Sequence, residues 1–462
     1  MTRADGSGVP SLCVVITRRG LPVAWAGLLA GAFAVGGVLH AQGVLRIDHL
    51  PPLHALARLP TAAGTAALVP AAVLAAVAVP VLPRLTANLP LRAALAAAFG
   101  VSLAWTVLLA VSGEGLAWPF THPQEYLAVL GTVGDDPLGW LAGFTRDLPA
   151  YPTHVRGHPP LPVLVLWALA AAGLPGPFWA AVLVVVIGCS ATVAIGLAVR
   201  RVSGEEAARR ALPYLALSPA AVWIATTMDA FFAGVGAWGT ALLLLALPGG
   251  DGPGARGRAG RVAVGLWRGG AAGVALGALP YLSYGLVPYL LIPVVGAVVA
   301  LRDAGAGAAK AARAAVLACL AGMAAVSALF AAGGFWWPDG VAATHAEWAA
   351  DPGAARPYLY FLFANLAVLA LVTGPAATAG LAAPRLTAGS AGSAAGRILP
   401  MAALVAVLAL DLSGVTRGEV ERIWLPYALW ITAAAGRAPD RRLLAAQALT
   451  GLLLQGLVRS PW

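Results

Sequence analysis

Apolar runs of about 20 residues, separated by short polar breaks, recur along this chain. At a rise of about 1.5 Å per residue, such a run matches the hydrocarbon thickness of a bilayer and reads as a transmembrane helix. The pattern predicts spans near 21–43, 63–82, 92–112, 178–199, 211–227, 230–247, 270–284, 286–301, 312–333, 357–382, 398–413, 423–436 and 443–458. The expected fold is an all-α integral membrane protein, a single polytopic domain over 1–462 with about 13 transmembrane helices. Residues 161–174 (LPVLVLWALAAAGL) are apolar but short, framed by Pro159-Pro160 and Pro175-Gly176. That length favours a re-entrant or interfacial helix over a span. Arg18 and Arg19 lead directly into the run from Leu21, which reads as an uncleaved first span.

Charge sets the orientation. With the N-terminus inside and 161–174 not crossing, 21 of the 29 Lys and Arg residues fall in loops on one side and 8 on the other. Positive charge accumulates on the cytoplasmic side, so the richer set is placed there. The opposite side then holds 13 of 19 acidic residues and all seven histidines. Crossing at 161–174 would reverse most of this bias. Connectors 248–268 and 384–397 are basic and rich in Gly, Ser and Ala, as flexible cytoplasmic linkers are.

Composition closes off other classes. Only 10% of the residues are charged and the mean hydropathy is +0.83, whereas a soluble domain carries about 25% charged residues. The net charge of +10 resides in loops that meet anionic lipid, and no soluble basic domain is present to grip nucleic acid. Cys13, Cys189 and Cys319 are scattered, without disulfide or metal spacing.

Candidate chemistry gathers in the outer loops. Residues 113–160 carry Glu114, His122, Glu125, Asp135, Asp136, Asp147, His154 and His158, interleaved with aromatic rings. This pattern suits short helices lying on the membrane surface. Asp48, His49 and His54 lie on the preceding outer loop, and Asp229 opens a span from the outer side. Loop 334–358 adds Trp336, Trp337, His345 and Arg356, and loop 411–426 adds Arg417, Glu419, Glu421, Arg422 and Trp424. Ionisable residues at span ends are expensive there and flag function. Structural readings compete with each. Asp135-Asp136 suits a helix N-cap before Pro137, and the tryptophans suit an interfacial belt. His154 and His158 would share a helix face and could bind metal, but Gly157 and Pro159 argue against a helix. Arg417 and Arg422 with Glu419 and Glu421 fit either an ion-pair network or an anion site. The acids and histidines leave room for a divalent cation, but no ligand set stands out, and the spacing implies no cofactor.

The order of these motifs resembles a family. His122-Pro123-Gln124-Glu125-Tyr126-Leu127 is followed by Tyr151-Pro152-x-His154-x-x-Gly157-His158-Pro159-Pro160 and a short apolar helix. A span ending in Arg200-Arg201, then Ser218-Pro219, then Asp229, completes the series. This resembles the GT-C superfamily of polytopic membrane glycosyltransferases, which includes protein mannosyltransferases and bacterial aminoarabinose and arabinofuranosyl transferases. The resemblance implies inverting transfer of a sugar from a polyprenyl-phosphate donor to a glycan, lipid or protein acceptor of the cell envelope. Transfer would occur on the extracytoplasmic face of the cell membrane. It also implies a first-loop carboxylate as general base, here Glu125 with Asp135 and Asp136 as substitutes. Gln124 stands where the family's acidic pair would continue. Tyr126, His154, His158, Asp229, Trp336, Trp337, His345, Arg356, Arg417, Glu419, Glu421, Arg422 and Trp424 are then the expected substrate-binding set. Two other classes compete: a secondary transporter, whose coupling carboxylates belong near the bilayer midplane, and a catalytically inactive membrane scaffold.

Overall fold

The structure, a computed structural model, describes residues 20–45, 50–248, 258–302, 309–383 and 396–460. Asp48, His49, Cys13 and most of the two basic connectors lie outside the described residues. The chain is an all-helical, multi-pass membrane protein. Its one described ladder pairs Leu56–Ala57 antiparallel with Val458–Arg459.

Among the described residues, eight helices are long and apolar enough to cross a membrane, or nine if one bent pair counts as a span. The sequence reading gave about 13, and the difference has physical causes. The apolar stretch 211–227 is divided at Ser218-Pro219 into the helices Glu205–Ala216 and Ala221–Ile224. The stretch 423–436 becomes Val420–Ile423, Leu425–Thr432 and a 3-10 turn at Ala433–Arg437. Ile398–Ser413 and Arg441–Leu457 have 16 and 17 residues. At about 1.5 Å per residue these are shorter than a bilayer core. The expected span 357–382 bends by 103° between Tyr358–Thr373 and Pro375–Ala382.

The Asp229–Ala246 helix is the hub. Of its apolar window 72% is buried, against 6% for the window of the first span. Small residues let helices close on one another without a hydrophobic driving force. The helices Arg258–Leu282 and Ala309–Ala332 meet this way, since a Cβ at Gly273 would run into the backbone of Cys319.

Arginines tie the connections at one end of the bundle. Arg209 Nη1 donates to the carbonyls of Thr86 (2.6 Å) and Leu89 (2.8 Å), and Arg201 donates to Pro248 (2.7 Å). Arg397 donates to Leu381 (2.7 Å), closing the C-terminus of the Pro375–Ala382 helix where cations are favoured. At the opposite end of the Leu91–Val111 and Asp229–Ala246 helices, five separated segments converge. His54 bonds Glu421, Arg156 faces Glu347 at 3.6 Å, and Arg422 reaches Asp229. The segregation of Arg-rich loops from acidic and histidine-bearing loops, read from charge alone, is therefore also a spatial one. The helix Leu161–Ala171 begins just after His158 and packs on the loop before it, with Trp167 Nε1 donating to Gly134 O at 2.9 Å.

Candidate active site

Residues 153–154 fold back onto residues 124–125. Thr153 N donates to Gln124 Oε1 at 2.8 Å, and His154 N donates to Gln124 O at 3.2 Å. Gln124, the departure from a paired acid, thus serves as a neutral clamp. It sets His154 Nδ1 2.7 Å from Glu125 Oε1, with the two side chains 2% and 3% exposed. The helix Thr153–Arg156 ends at Gly157, so His158 lies beyond it, and its Nδ1 sits 2.8 Å from His154 O. A carbonyl only accepts, so this nitrogen carries the proton. The Tyr126 ring packs on both imidazoles, with centroids 6.1 and 5.7 Å away.

Burial alone would raise the Glu125 pKa, but His154 and then Arg422 override it and hold the carboxyl below its usual value. Burial pushes His158 down to about 4, against the pull of Asp229. The buried pair is therefore a carboxylate oriented by one imidazole, beside a second, neutral one. Glu125 Oε2 is buried and has no hydrogen-bond partner among the described residues.

The second half of the cluster comes from the loop after Ser413. Asn365, on the Tyr358–Thr373 helix, donates to Asp411 Oδ1 (2.9 Å) and Thr416 O (3.0 Å) and accepts from Gly418 N (3.3 Å). Glu419 follows with φ of 62°, a left-handed conformation uncommon for a residue with a Cβ and most frequent at functional sites. Its carboxylate receives two guanidinium groups: Arg422 Nη2 lies 2.7 Å from Oε2 and Arg356 Nη1 3.6 Å from Oε1. Burial opposes its charge, yet Arg422, His54 and Arg356 together hold Glu419 well below the carboxylate range. Arg422 also faces Asp229 at 3.9 Å, and Asp229 Oδ2 accepts from Thr227 Oγ1 at 2.6 Å. Beside them Glu421 Oε1 accepts from His54 N at 2.9 Å. Burial, with the charge of Glu419, pushes Glu421 up to about 7.

The structure thus brings Glu125, Tyr126, His154, His158, Asp229, Arg356, Glu419, Glu421 and Arg422 into one cluster. Other expected residues stand elsewhere. Asp135 and Asp136 are exposed, and Asp136 caps the following helix through Gly139 N at 2.8 Å. Arg417 is occupied by the carbonyls of Gly414 (2.9 Å) and Arg356 (3.0 Å), with its guanidinium over Trp348. Trp424 is fully buried, so it lines no mouth. Trp337 Nε1 donates to Pro280 O at 2.9 Å, Trp336 is 59% exposed, and exposed His345 stacks on Trp348. Among the described residues, no three His, Cys, Asp or Glu side chains are grouped to hold a metal ion. Sequence reading missed Asn365 and Thr227. An amide inside an otherwise apolar span was the available signal for Asn365.

No family model and no curated protein matches the chain. Among solved structures it is similar to the crystal structure of ArnT from Cupriavidus metallidurans bound to undecaprenyl phosphate, with a TM-score of 0.41 and 19% identity. The alignment covers 68% of this chain and 59% of that one, so the chain spans about three fifths of that protein's length.

Proposed function

We propose that the protein is an inverting membrane glycosyltransferase. It moves a sugar from a polyprenyl-phosphate donor to an acceptor hydroxyl on the extracytoplasmic face of the cell membrane. The observation that carries this reading is the buried Glu125–His154 pair at 2.7 Å with one carboxylate oxygen left over. His154 fixes the carboxylate through Oε1, leaving Oε2 to accept a proton from the acceptor hydroxyl. Such a positioned base is worth about a hundredfold or more in rate. The acceptor oxygen attacks the anomeric carbon as the bond from that carbon to the phosphate oxygen breaks, and the lipid phosphate leaves with the electron pair.

The leaving phosphate requires cations. Arg422 and Arg356 converge on Glu419, and two guanidinium groups around one carboxylate form an anion site. Glu419 occupies the position a phosphate would take, and donor binding would exchange one anion for the other. Asp229 holds Arg422 from the far side. The helix Leu161–Ala171 serves as the re-entrant or interfacial element leading the donor's chain toward this end, and the acceptor belongs to the cell envelope.

The test is sugar transfer from a polyprenyl-phosphate donor by purified wild type and Glu125→Gln. Glutamine keeps an oxygen for His154 and so preserves the packing, but it cannot take a proton. A loss of at least about a hundredfold is expected, and a folded Glu125→Gln variant with wild-type turnover would refute the assignment. One feature favours a transporter, the helix broken at Gly374. Its freed, buried backbone groups are closed by Gln447, which donates to Thr373 O at 2.8 Å and accepts from Ala376 N at 3.3 Å. Ion-coupled uptake into proteoliposomes would support that second reading.

A further inference from the structure

A cavity of about 380 Å³ lies at the Arg-rich end of the bundle and shares no lining residue with the Glu125 cluster. Three helix ends enclose it: residues 83–87 of the Val69–Asn88 helix, the first turns of Glu205–Ala216, and the start of Arg441–Leu457. The helix Glu205–Ala216 is amphipathic. Glu206 and Arg210 are exposed on one face, whereas Ala208, Ala211 and Leu212 are buried on the other. Tyr214 OH donates to Asp440 O (3.0 Å) and accepts from Asp440 N (2.8 Å), which fixes the third helix against the second.

Four arginines meet three acids here. Arg209 is spent on Glu205 at 2.7 Å and on the carbonyls of Thr86 and Leu89, and Glu205 also faces Arg200 at 3.4 Å. Asp440 caps its own helix, accepting from Arg442 N at 2.6 Å. Arg210 pairs with Glu206, whose side chain is 77% exposed, and so exposed a pair is weakly held. Arg441 is exposed, and its side chain has no ion pair or hydrogen bond among the described residues. The group therefore keeps one net positive charge. Arg210 and Arg441, the two arginines able to turn to a ligand, both line the cavity. An anion answers that excess, and a guanidinium fork matches phosphate oxygens. Lipid is the source the setting favours, because basic pockets between spans collect anionic head groups. The two long helices bordering the cavity also leave Val73, Val77 and Leu449 uncovered, a surface for acyl chains.

We propose that this cavity binds the phosphate of an anionic phospholipid through Arg210 and Arg441, with Glu206 released to water. The site is independent of whether Glu125 acts as a base. The full chain is reconstituted in nanodiscs of phosphatidylcholine doped with phosphatidylglycerol, and lipid retained through extraction is counted by native mass spectrometry. Phosphatidylglycerol should be retained in preference to phosphatidylcholine, and the preference should shrink as salt is raised. Arg441→Gln should reduce that retention about fivefold, the worth of one basic side chain at an anionic surface. Glu206→Gln should raise it by a similar factor, because it frees Arg210, whereas a purely structural ion pair predicts no gain. Both positions are exposed, so both variants should stay folded and monodisperse. Soluble glycerol phosphate should not displace the bound lipid. Equal retention of phosphatidylcholine, wild-type retention in Arg441→Gln, no gain in Glu206→Gln, or displacement by glycerol phosphate overturns the proposal.

Discussion

Glu421 and His158 lie in the same buried cluster, yet burial moves them in opposite directions along the pH scale. For Glu421, burial favours the neutral acid and its pKa rises to about 7. A carboxyl raised in the folded state stabilises fully below its unfolded value, and that stabilisation is lost as pH rises through 7. For His158, burial favours the neutral ring and its pKa falls to about 4. Its contribution is complete above the ordinary imidazole range and disappears as pH drops toward 4. Thermal unfolding of Glu421→Gln should therefore lack the decline expected of wild type between the ordinary value of 4.5 and about 7, and the variant should be the more stable one at pH 8. A variant whose melting profile parallels wild type across that window would show that Glu421 is solvated. Residue identity alone announced neither shift, because both depend on neighbours supplied by distant segments.

At the scale of elements, the bend at Gly374 is the clearest case of local structure decided by a remote side chain. Gly374 has φ of +80°, and a Cβ there would collide with the Gln447 amide. Broken helices survive at membrane depth only where other groups take up the freed backbone bonds. Gln447, 0% exposed on the Arg441–Leu457 helix, does this for both Thr373 and Ala376. Gln447→Leu strands a donor and an acceptor, at a cost of about 1–3 kcal/mol each. Its melting temperature should fall well below that of wild type, and an unchanged value would mean that water closes the break. Gly273→Leu should be worse, because leucine meets the backbone of Cys319 and not a movable side chain. Size-exclusion chromatography should show loss of the monodisperse species. Apolar periodicity predicted a single span over 357–382, because the bend replaces no apolar residue and leaves hydropathy unchanged.

Across the whole molecule, two sets of loops are separated by the length of the spans. Cysteines placed singly at exposed positions 135 and 345, in a background lacking native thiols, should react with an impermeant reagent from one side. Cysteines at exposed positions 84 and 441 should react only from the other. If 135 and 345 labelled from opposite sides, the convergence of Glu125, Arg356 and Arg422 could not exist in the membrane. Sidedness was legible in the sequence because it is an additive property: each loop's charge counts wherever the loop packs. The Glu125 loop, His154, Asp229 and the 411–426 segment were legible for a related reason, since polar groups beside apolar spans are conspicuous.

The sequence by itself determined that this is a helical membrane protein, which loops share a side, and which residues are worth suspecting. Tertiary structure decided which suspects act together. It paired Glu125 with His154, set Arg422 and Arg356 on Glu419, retired Asp136 to a helix cap and Arg417 to a carbonyl clamp, and buried Trp424. The physical reason is range. Hydropathy and net charge act through composition summed over tens of residues, whereas an ion pair or a pKa depends on separations of about 3–4 Å. Distances that short between segments hundreds of residues apart are set only when the helices pack.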